Sequence, residues 1–325
     1  MSDSVEVFTA FAQAALPAYG LSPETTLTLL NVSENGTFRI DDPVQGRSAL
    51  RVHRTNYHSP EAIRSELAWV SALRTDGVVR TPAHLPAADG ESVVTASVEG
   101  LGERQAVRFE WVDGVEPAGD RLVSDFEQVG AITARLHDHA RRWVPPAGFT
   151  RFTWDYDAAL GRTCLWGRWQ DGLGMGREEL EVLSRLDRVL EGKLAAYGSG
   201  PDRFGLIHAD MRLANLMVAG DEVAVIDFDD CGFGWFMYDV GSSVSFIEHE
   251  PYVPELLDAW VRGYRGVVPL SAEDEAMLPT FVMFRRLLLV AWIGSHAMTE
   301  TGAEMGPEFT TVSCRLAEEY LGRET

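Results

Sequence analysis

Up to about residue 112 the apolar and polar positions alternate in short runs, at 26–32, 37–41, 48–53, 92–98 and 105–112, the pattern of strands with one buried face. Asn35-Gly36, Gln45-Gly46 and Glu99-Gly100-Leu101-Gly102 separate them with turn chemistry. A small antiparallel sheet is predicted, preceded by an N-terminal helix. A second helix interrupts it between the third and fourth runs: Ser59 is placed to cap, Pro60 opens the first turn, and Ile63, Leu67 and Val70 recur at helical spacing.

After Asp113-Gly114 the period lengthens to that of helices. Ser124-Asp125-Phe126-Glu127 reads as a capping box opening a helix that runs to about Trp143. Two strand-like runs, 204–207 and 223–228, break the helical pattern, and each delivers polar residues at its C-terminal end. The expected fold is α+β in two lobes: a sheet lobe over 1–112 and a mainly helical lobe over 113–325.

Composition narrows the setting. At 325 residues and 46% apolar, the chain can build a full core. Its opening segment has no basic residue ahead of a mildly apolar stretch, unlike a secretory signal. The most apolar run, 281–293, is interrupted by Arg285 and Arg286 and is shorter than a bilayer span. A cytoplasmic protein with no membrane partner is expected. Cys164, Cys231 and Cys314 lie far apart without a C-x-x-C pair, which argues for buried thiols rather than disulfides or structural zinc. The net charge of −21 repels nucleic acid and favours a cationic ligand, although acidity also serves solubility. The sequence carries no signal for oligomeric state.

The densest chemistry lies in Ile207-His208-Ala209-Asp210-Met211-Arg212-Leu213-Ala214-Asn215, followed twelve residues after Asn215 by Asp227 in Val225-Ile226-Asp227-Phe228-Asp229-Asp230. Phosphoryl transfer needs an oriented hydroxyl, a group to accept its proton, and oxygen ligands for a metal on the phosphates. Asp210 suits the base and Asn215 and Asp227 suit Mg²⁺, with His208 serving the catalytic loop as its scaffold. Asp and Asn are frequent in loops for turn reasons alone, but H-x-D-x-x-x-x-N followed by a strand ending in Ile-Asp is harder to obtain that way.

On these motifs the chain, from about Leu29 to about His296, resembles the aminoglycoside phosphotransferase and choline kinase superfamily. The Ile-Asp-Phe-Asp-Asp form at 226–230 is most similar to the type II homoserine kinase and stress-response kinase A branch. The resemblance implies a bilobal protein-kinase-like fold with a five-stranded sheet, ATP as donor, although the sequence itself does not separate ATP from GTP, and Asp229 as a further metal ligand. It also implies Asp239 as a support of the catalytic loop, and a hinge at 109–114 where the backbone of Glu110 and Val112 meets adenine. The turn holding Ser33, Asn35 and Gly36 would cover the phosphates, with one glycine where protein kinases have three. Arg51 stands where such kinases have lysine, a wider planar fork in place of a point charge. Its carboxylate partner is expected from the following helix, at Glu66 rather than Glu61.

The acceptor implied is a small-molecule hydroxyl: an amino sugar, antibiotic, amino alcohol or hydroxy amino acid. Trp154, Trp166, Trp169 and Trp235, with Asp155, Asp157, Glu248 and Glu250, are candidates for holding an ammonium, though most such tryptophans serve a core. Two other functions fit the motifs: a protein serine/threonine kinase, for which no A-P-E segment follows Asp227, and a nucleotide-binding module without transfer, for which the missing lysine speaks.

Overall fold

The computed structural model describes residues 4–32 and 34–323. Two units result, one comprising the described residues up to Asp113 with Pro145–Arg151, the other Gly114–Val144 with the described residues from Phe152 on. The 145–151 segment lies within the stretch expected to be helical lobe. It is held to the first unit by the Arg151 guanidinium on the Ala62 carbonyl (2.9 Å) and by the Thr150 N–H on Ser65 Oγ (2.9 Å).

In the first unit α1 (Val5–Ala15) precedes β1 (Thr26–Val32), β2 (Gly36–Asp42) and β3 (Gly46–Val52). Then come α2 (Pro60–Thr75), β4 (His84–Leu85), β5 (Val94–Val98) and β6 (Gly102–Glu110). The sheet has six strands rather than five, in the order β1-β2-β3-β6-β4 with β5 also on β6. The extra strand is a two-residue pairing too short to leave a periodic signal. Strand alternation sends Phe38, Ile40, Leu50 and Val52 into a core with Phe8, Phe11, Ala12 and Ala15 of α1. Val107 packs with Ile63 and Leu67 of α2. Ser59 caps α2, accepting from the Ala62 N–H.

The second unit holds α3 (Leu122–Arg142), β7 (Thr153–Trp154), α4 (Tyr156–Ala159), α5 (Arg177–Tyr197), β8 (Phe204–Ile207), β9 (Leu216–Ala219), β10 (Glu222–Val225) and β11 (Gly232–Trp235). The helices α6 (Tyr238–Ser243), α7 (Val253–Arg265), α8 (Ala272–Ala276), α9 (Leu278–Ser295), α10 (Glu300–Met305) and α11 (Glu308–Arg323) complete it. The expected capping box of α3 does not form. The helix starts at Leu122, so Ser124 lies inside its first turn and its hydroxyl donates to the Arg121 carbonyl. Glycines set the contact of α3 with α7: a Cβ at Gly130 would meet the Trp260 carbonyl at 2.0 Å, and one at Gly263 the Glu127 carbonyl at 1.8 Å.

The apolar run at 281–293 belongs to a longer helix: at 18 residues α9 is long and apolar enough to span a bilayer, contrary to the expectation from sequence. Its apolar stretch is 83% buried within the fold, which is the environment of a core helix. Of the three cysteines only Cys231 is buried; Cys164 and Cys314 are partly exposed.

Candidate active site

Two short pairings bring the polar ends of the second unit's strands together. β8 runs antiparallel to β11 with Ile207 opposite Gly232, and the chain then enters the 208–215 loop. The β9–β10 hairpin pairs Leu216 with Val225, and the Ile226 N–H donates to the Asn215 carbonyl at 2.9 Å. Asn215 and Asp227 therefore leave neighbouring strand ends. β10 stops at Val225 instead of continuing to 228, because the backbone turns left-handed at Asp227, with φ 60°.

Ala209, next to Asp210, is also left-handed, with φ 68°. Such residues cost about 1–3 kcal/mol and persist only where the surroundings over-determine them. Asp239, fully buried, supplies that restraint by accepting from the N–H groups of His208 (3.1 Å) and Ala209 (2.8 Å). Asp239 also meets His137 Nε2 at 3.1 Å, and His137 Nδ1 lies 3.1 Å from the Tyr264 hydroxyl. Burial holds the His137 pKa below its ordinary value, so its Nε2–H donates and its Nδ1 accepts. Met211 N–H donates to Ser242 Oγ at 2.9 Å, fastening the next loop residue.

His208 is buried, and both its ring nitrogens are engaged inside the loop. Nδ1 accepts from the Asp210 N–H (3.2 Å), which puts the proton on Nε2, 3.2 Å from the Ile226 carbonyl. That is a scaffold linking the two halves of the motif.

The Asp210 carboxylate is gripped from three sides. Oδ1 accepts from Arg285 Nη2 at 2.6 Å; Oδ2 accepts from Asn215 Nδ2 at 2.7 Å and from Arg212 Nε at 3.2 Å. Burial alone would push its pKa up, but the Arg212 and Arg285 guanidiniums outweigh burial and hold it below the usual carboxylate value. The Asn215 amide also donates to the Asp210 carbonyl (2.9 Å), which turns its nitrogen to Asp210 and leaves its oxygen as the atom able to take a cation. Asp227 is exposed and Asp229 buried, with the Asp229 N–H 3.4 Å from Asp227 Oδ1. Amide and carboxylate oxygens suit a hard divalent ion, so the donor set fits the expected metal.

Sequence reasoning gave no role to Arg212 or Arg285, the two guanidiniums on Asp210. For Arg285 the signal was present: two arginines inside the most apolar run, used there only against a membrane span. Buried arginines are rare unless paired, so the interruption itself pointed to buried partners.

Of the first unit's candidates, the structure brings Arg51 and Glu66 together. Both are buried, with Arg51 Nη2 2.7 and 2.6 Å from the two carboxylate oxygens. The Asn35 side chain accepts from the Arg54 N–H at 3.0 Å, tying the β1–β2 turn to the chain after β3. At Gly36 a Cβ would lie 2.7 Å from the Phe8 ring, so packing of α1 requires glycine there whatever the turn binds. Ser33 lies outside the described residues. At the expected hinge the Glu110 N–H donates to the Ala83 carbonyl (2.8 Å), which takes that donor from a ligand, and Val112 is partly buried and lies past the end of β6.

The substrate-side candidates are largely spent on structure. Trp154, Trp166, Trp169 and Trp235 are buried, Asp155 caps α4, Asp157 pairs with Arg162 and Glu248 with Arg286. Glu250 lies 3.5 Å from His249.

The profile of the phosphotransferase enzyme family matches residues 26–277. The solved structure of a microcompartment-associated aminopropanol kinase is 50% identical, with a TM-score of 0.90, covering 97% of this chain and 98% of its own. An uncharacterised protein of Deinococcus radiodurans is 30% identical over 94% of this chain and 86% of its own length. Amicoumacin kinase of Bacillus subtilis is 23% identical over 74% and 71%. The fold is the protein-kinase-like α+β fold of these kinases, and the chain belongs to the phosphotransferase enzyme family, as an ATP-dependent O-phosphotransferase acting on the hydroxyl of a small molecule.

Proposed function

We propose that this enzyme moves the γ-phosphoryl group of Mg²⁺-ATP to the hydroxyl of a small amino alcohol, with Asp210 as general base. The observation carrying the base assignment is the carboxylate itself: it follows the left-handed turn at Ala209, and Arg285, Arg212 and Asn215 fix the orientation of its two oxygens. The 50% identity to an aminopropanol kinase supports the acceptor class, and a net charge of −21 favours an acceptor that carries an ammonium group.

Asp210 accepts the hydroxyl proton as the acceptor oxygen bonds to the γ-phosphorus. The bond from that phosphorus to the bridging oxygen breaks, and ADP leaves with the electron pair. Asn215, Asp227 and Asp229 would hold the metal, which when bound neutralises charge on the phosphates. His208 and Asp239 keep the loop in the form that presents Asp210. In the first unit, Arg51, braced by Glu66, would meet phosphate oxygens, the turn at Asn35 and Gly36 would lie near them, and the Glu110 carbonyl and Val112 N–H would meet adenine. A cytoplasmic setting, where ATP is supplied, goes with this reading.

ADP release from Mg²⁺-ATP, measured across aminopropanol, ethanolamine, choline, homoserine and aminoglycosides, tests it. Aminopropanol or a close amino alcohol is expected to accelerate release, and Asp210→Ala to abolish at least about a thousandfold of that rate. Acceleration by an aminoglycoside alone would overturn the acceptor class. An Asp210→Ala protein as active as the parent would overturn the base.

A further inference from the structure

Asp210 is approached by two arginines of opposite character. Arg212 belongs to the loop, its side chain is 28% exposed, and it makes one contact to Oδ2 at 3.2 Å. Arg285 comes from α9, is 2% exposed, and spends donors in four directions. These are Ser245 Oγ (3.0 Å), the Ala209 carbonyl (3.3 Å), the Tyr238 hydroxyl (2.9 Å) and Asp210 Oδ1 (2.6 Å). Its guanidinium lies 4.9 Å from the Trp166 ring centre, and Trp166 is tied to α9 by the Ser295 hydroxyl on its carbonyl at 2.7 Å. A guanidinium fixed at four acceptors and stacked on an indole cannot leave without exposing several buried groups, whereas Arg212 can swing into solvent.

We propose that Arg285 is a positioning residue for phosphoryl transfer, anchoring Asp210 through Oδ1 and the left-handed Ala209 carbonyl so that Oδ2 is the oxygen presented to the acceptor hydroxyl. The inference rests on Asp210 being the base. A carboxylate oxygen accepts about two hydrogen bonds. Oδ2 keeps Asn215, and the acceptor hydroxyl takes the place of Arg212, passing its proton to Oδ2 as the new oxygen–phosphorus bond forms. Fixing one oxygen removes the rotation that would otherwise let the carboxylate turn away, and an error near 1 Å at a reacting group costs about a hundredfold in rate. Burial weakens the charge of Arg285, but Tyr238, Asp210 and Asp230 outweigh it and raise its pKa, so the anchor stays charged.

Its neighbour in sequence is the control. Arg286 is equally buried, yet its donors go to Glu248 Oε2 (2.6 Å), Ser313 Oγ (2.6 Å) and the Phe309 carbonyl (3.1 Å), none of them in the catalytic loop.

The test compares kcat, both KM values and melting temperature for the parent, R285Q, R285K and R286Q, using Mg²⁺-ATP and whichever acceptor of the panel the parent turns over. R285Q is expected to lose about a hundredfold in kcat with both KM values within about threefold, and R285K to recover about tenfold of that loss. R286Q is expected to melt lower while kcat stays within about threefold. R285Q at the parent's kcat overturns the proposal, as does a loss of kcat in R286Q equal to that in R285Q. Should R285Q fail to fold, an undiminished kcat in R285K overturns it. A parent that turns over no acceptor overturns the transferase reading itself and Arg285 with it, whereas an active parent with an unaffected R285Q overturns Arg285 alone.

Discussion

Two pairs of a buried arginine with a carboxylate invite comparison, Arg51 with Glu66 in the first unit and Arg285 with the partly exposed Asp210 in the second. In both, a guanidinium nitrogen meets a carboxylate oxygen at 2.6 Å, and the arginine side chain is at most 7% exposed. Arg51–Glu66 joins a strand to the next helix, 15 residues on, and both ends were legible: strand alternation put Arg51 opposite Leu50 and Val52, and helical spacing put Glu66 beside Ile63 and Val70. Arg285–Asp210 spans 75 residues, and one end lies in a helix whose pattern says only that it is apolar. The first pair is local enough for periodicity to place it. The second exists because packing of α6 against α9 delivers a charge to a loop, and periodicity carries no information about which loop.

The pairs also differ in what the carboxylate does. Glu66 gives both its oxygens to Arg51 and serves its partner, whereas Asp210 divides its oxygens among three donors and is served by them. Removing the carboxylate from the first pair sharpens that contrast most. Glu66→Ala removes both carboxylate oxygens from a buried guanidinium, and denaturant titration is expected to show a stability loss of about 3 kcal/mol with a raised KM for ATP. A stable Glu66→Ala protein with unchanged KM would reduce the pair to a surface-like contact. A smaller effect is expected from Arg51→Lys, which keeps the charge and loses the fork: KM for ATP rises up to about tenfold while the melting temperature changes little. If Arg51→Lys binds ATP more tightly, arginine at this position is a compromise rather than a specialised contact.

The smallest expected effect concerns the support of the catalytic loop, His137 on Asp239. His137 has a folded-state pKa below its ordinary value, so the unfolded chain binds the extra proton. Its contribution is therefore complete above the unfolded value of about 6.5 and is lost as pH falls from there through the lowered folded value. Stability is expected to fall as pH drops below about 6.5, and His137→Gln to flatten that pH dependence. An unchanged slope in the variant would assign the acid sensitivity to other groups.

Much of the site could be read from one chain because its parts are close in sequence. His208, Asp210 and Asn215 share one loop, and Asp227 follows a hairpin whose register fixes its distance from Asn215. Readings failed where the signal was local but the cause was not. Ser124 has the residue type of a cap, yet the helix begins earlier because a 3₁₀ turn at Gly119–Arg121 leads straight into it. Gly36 has the chemistry of a turn glycine, yet the space it leaves is filled by Phe8. The tryptophans and carboxylates proposed for an ammonium had the right chemistry, but the helical lobe uses most of them in its core and caps.

The sequence by itself determined the strand runs of the small unit, the helical character of the rest, and which residues share the loop proposed to carry the chemistry. Each is a matter of period or of spacing within some twenty residues, which local geometry enforces. Only the tertiary structure decided what holds Asp210. The left-handed turn at Ala209, the buried Asp239 beneath it and Arg285 reaching in from α9 are contacts between distant segments. They are fixed by the requirement that buried polar groups find partners, and that requirement is settled by the whole fold.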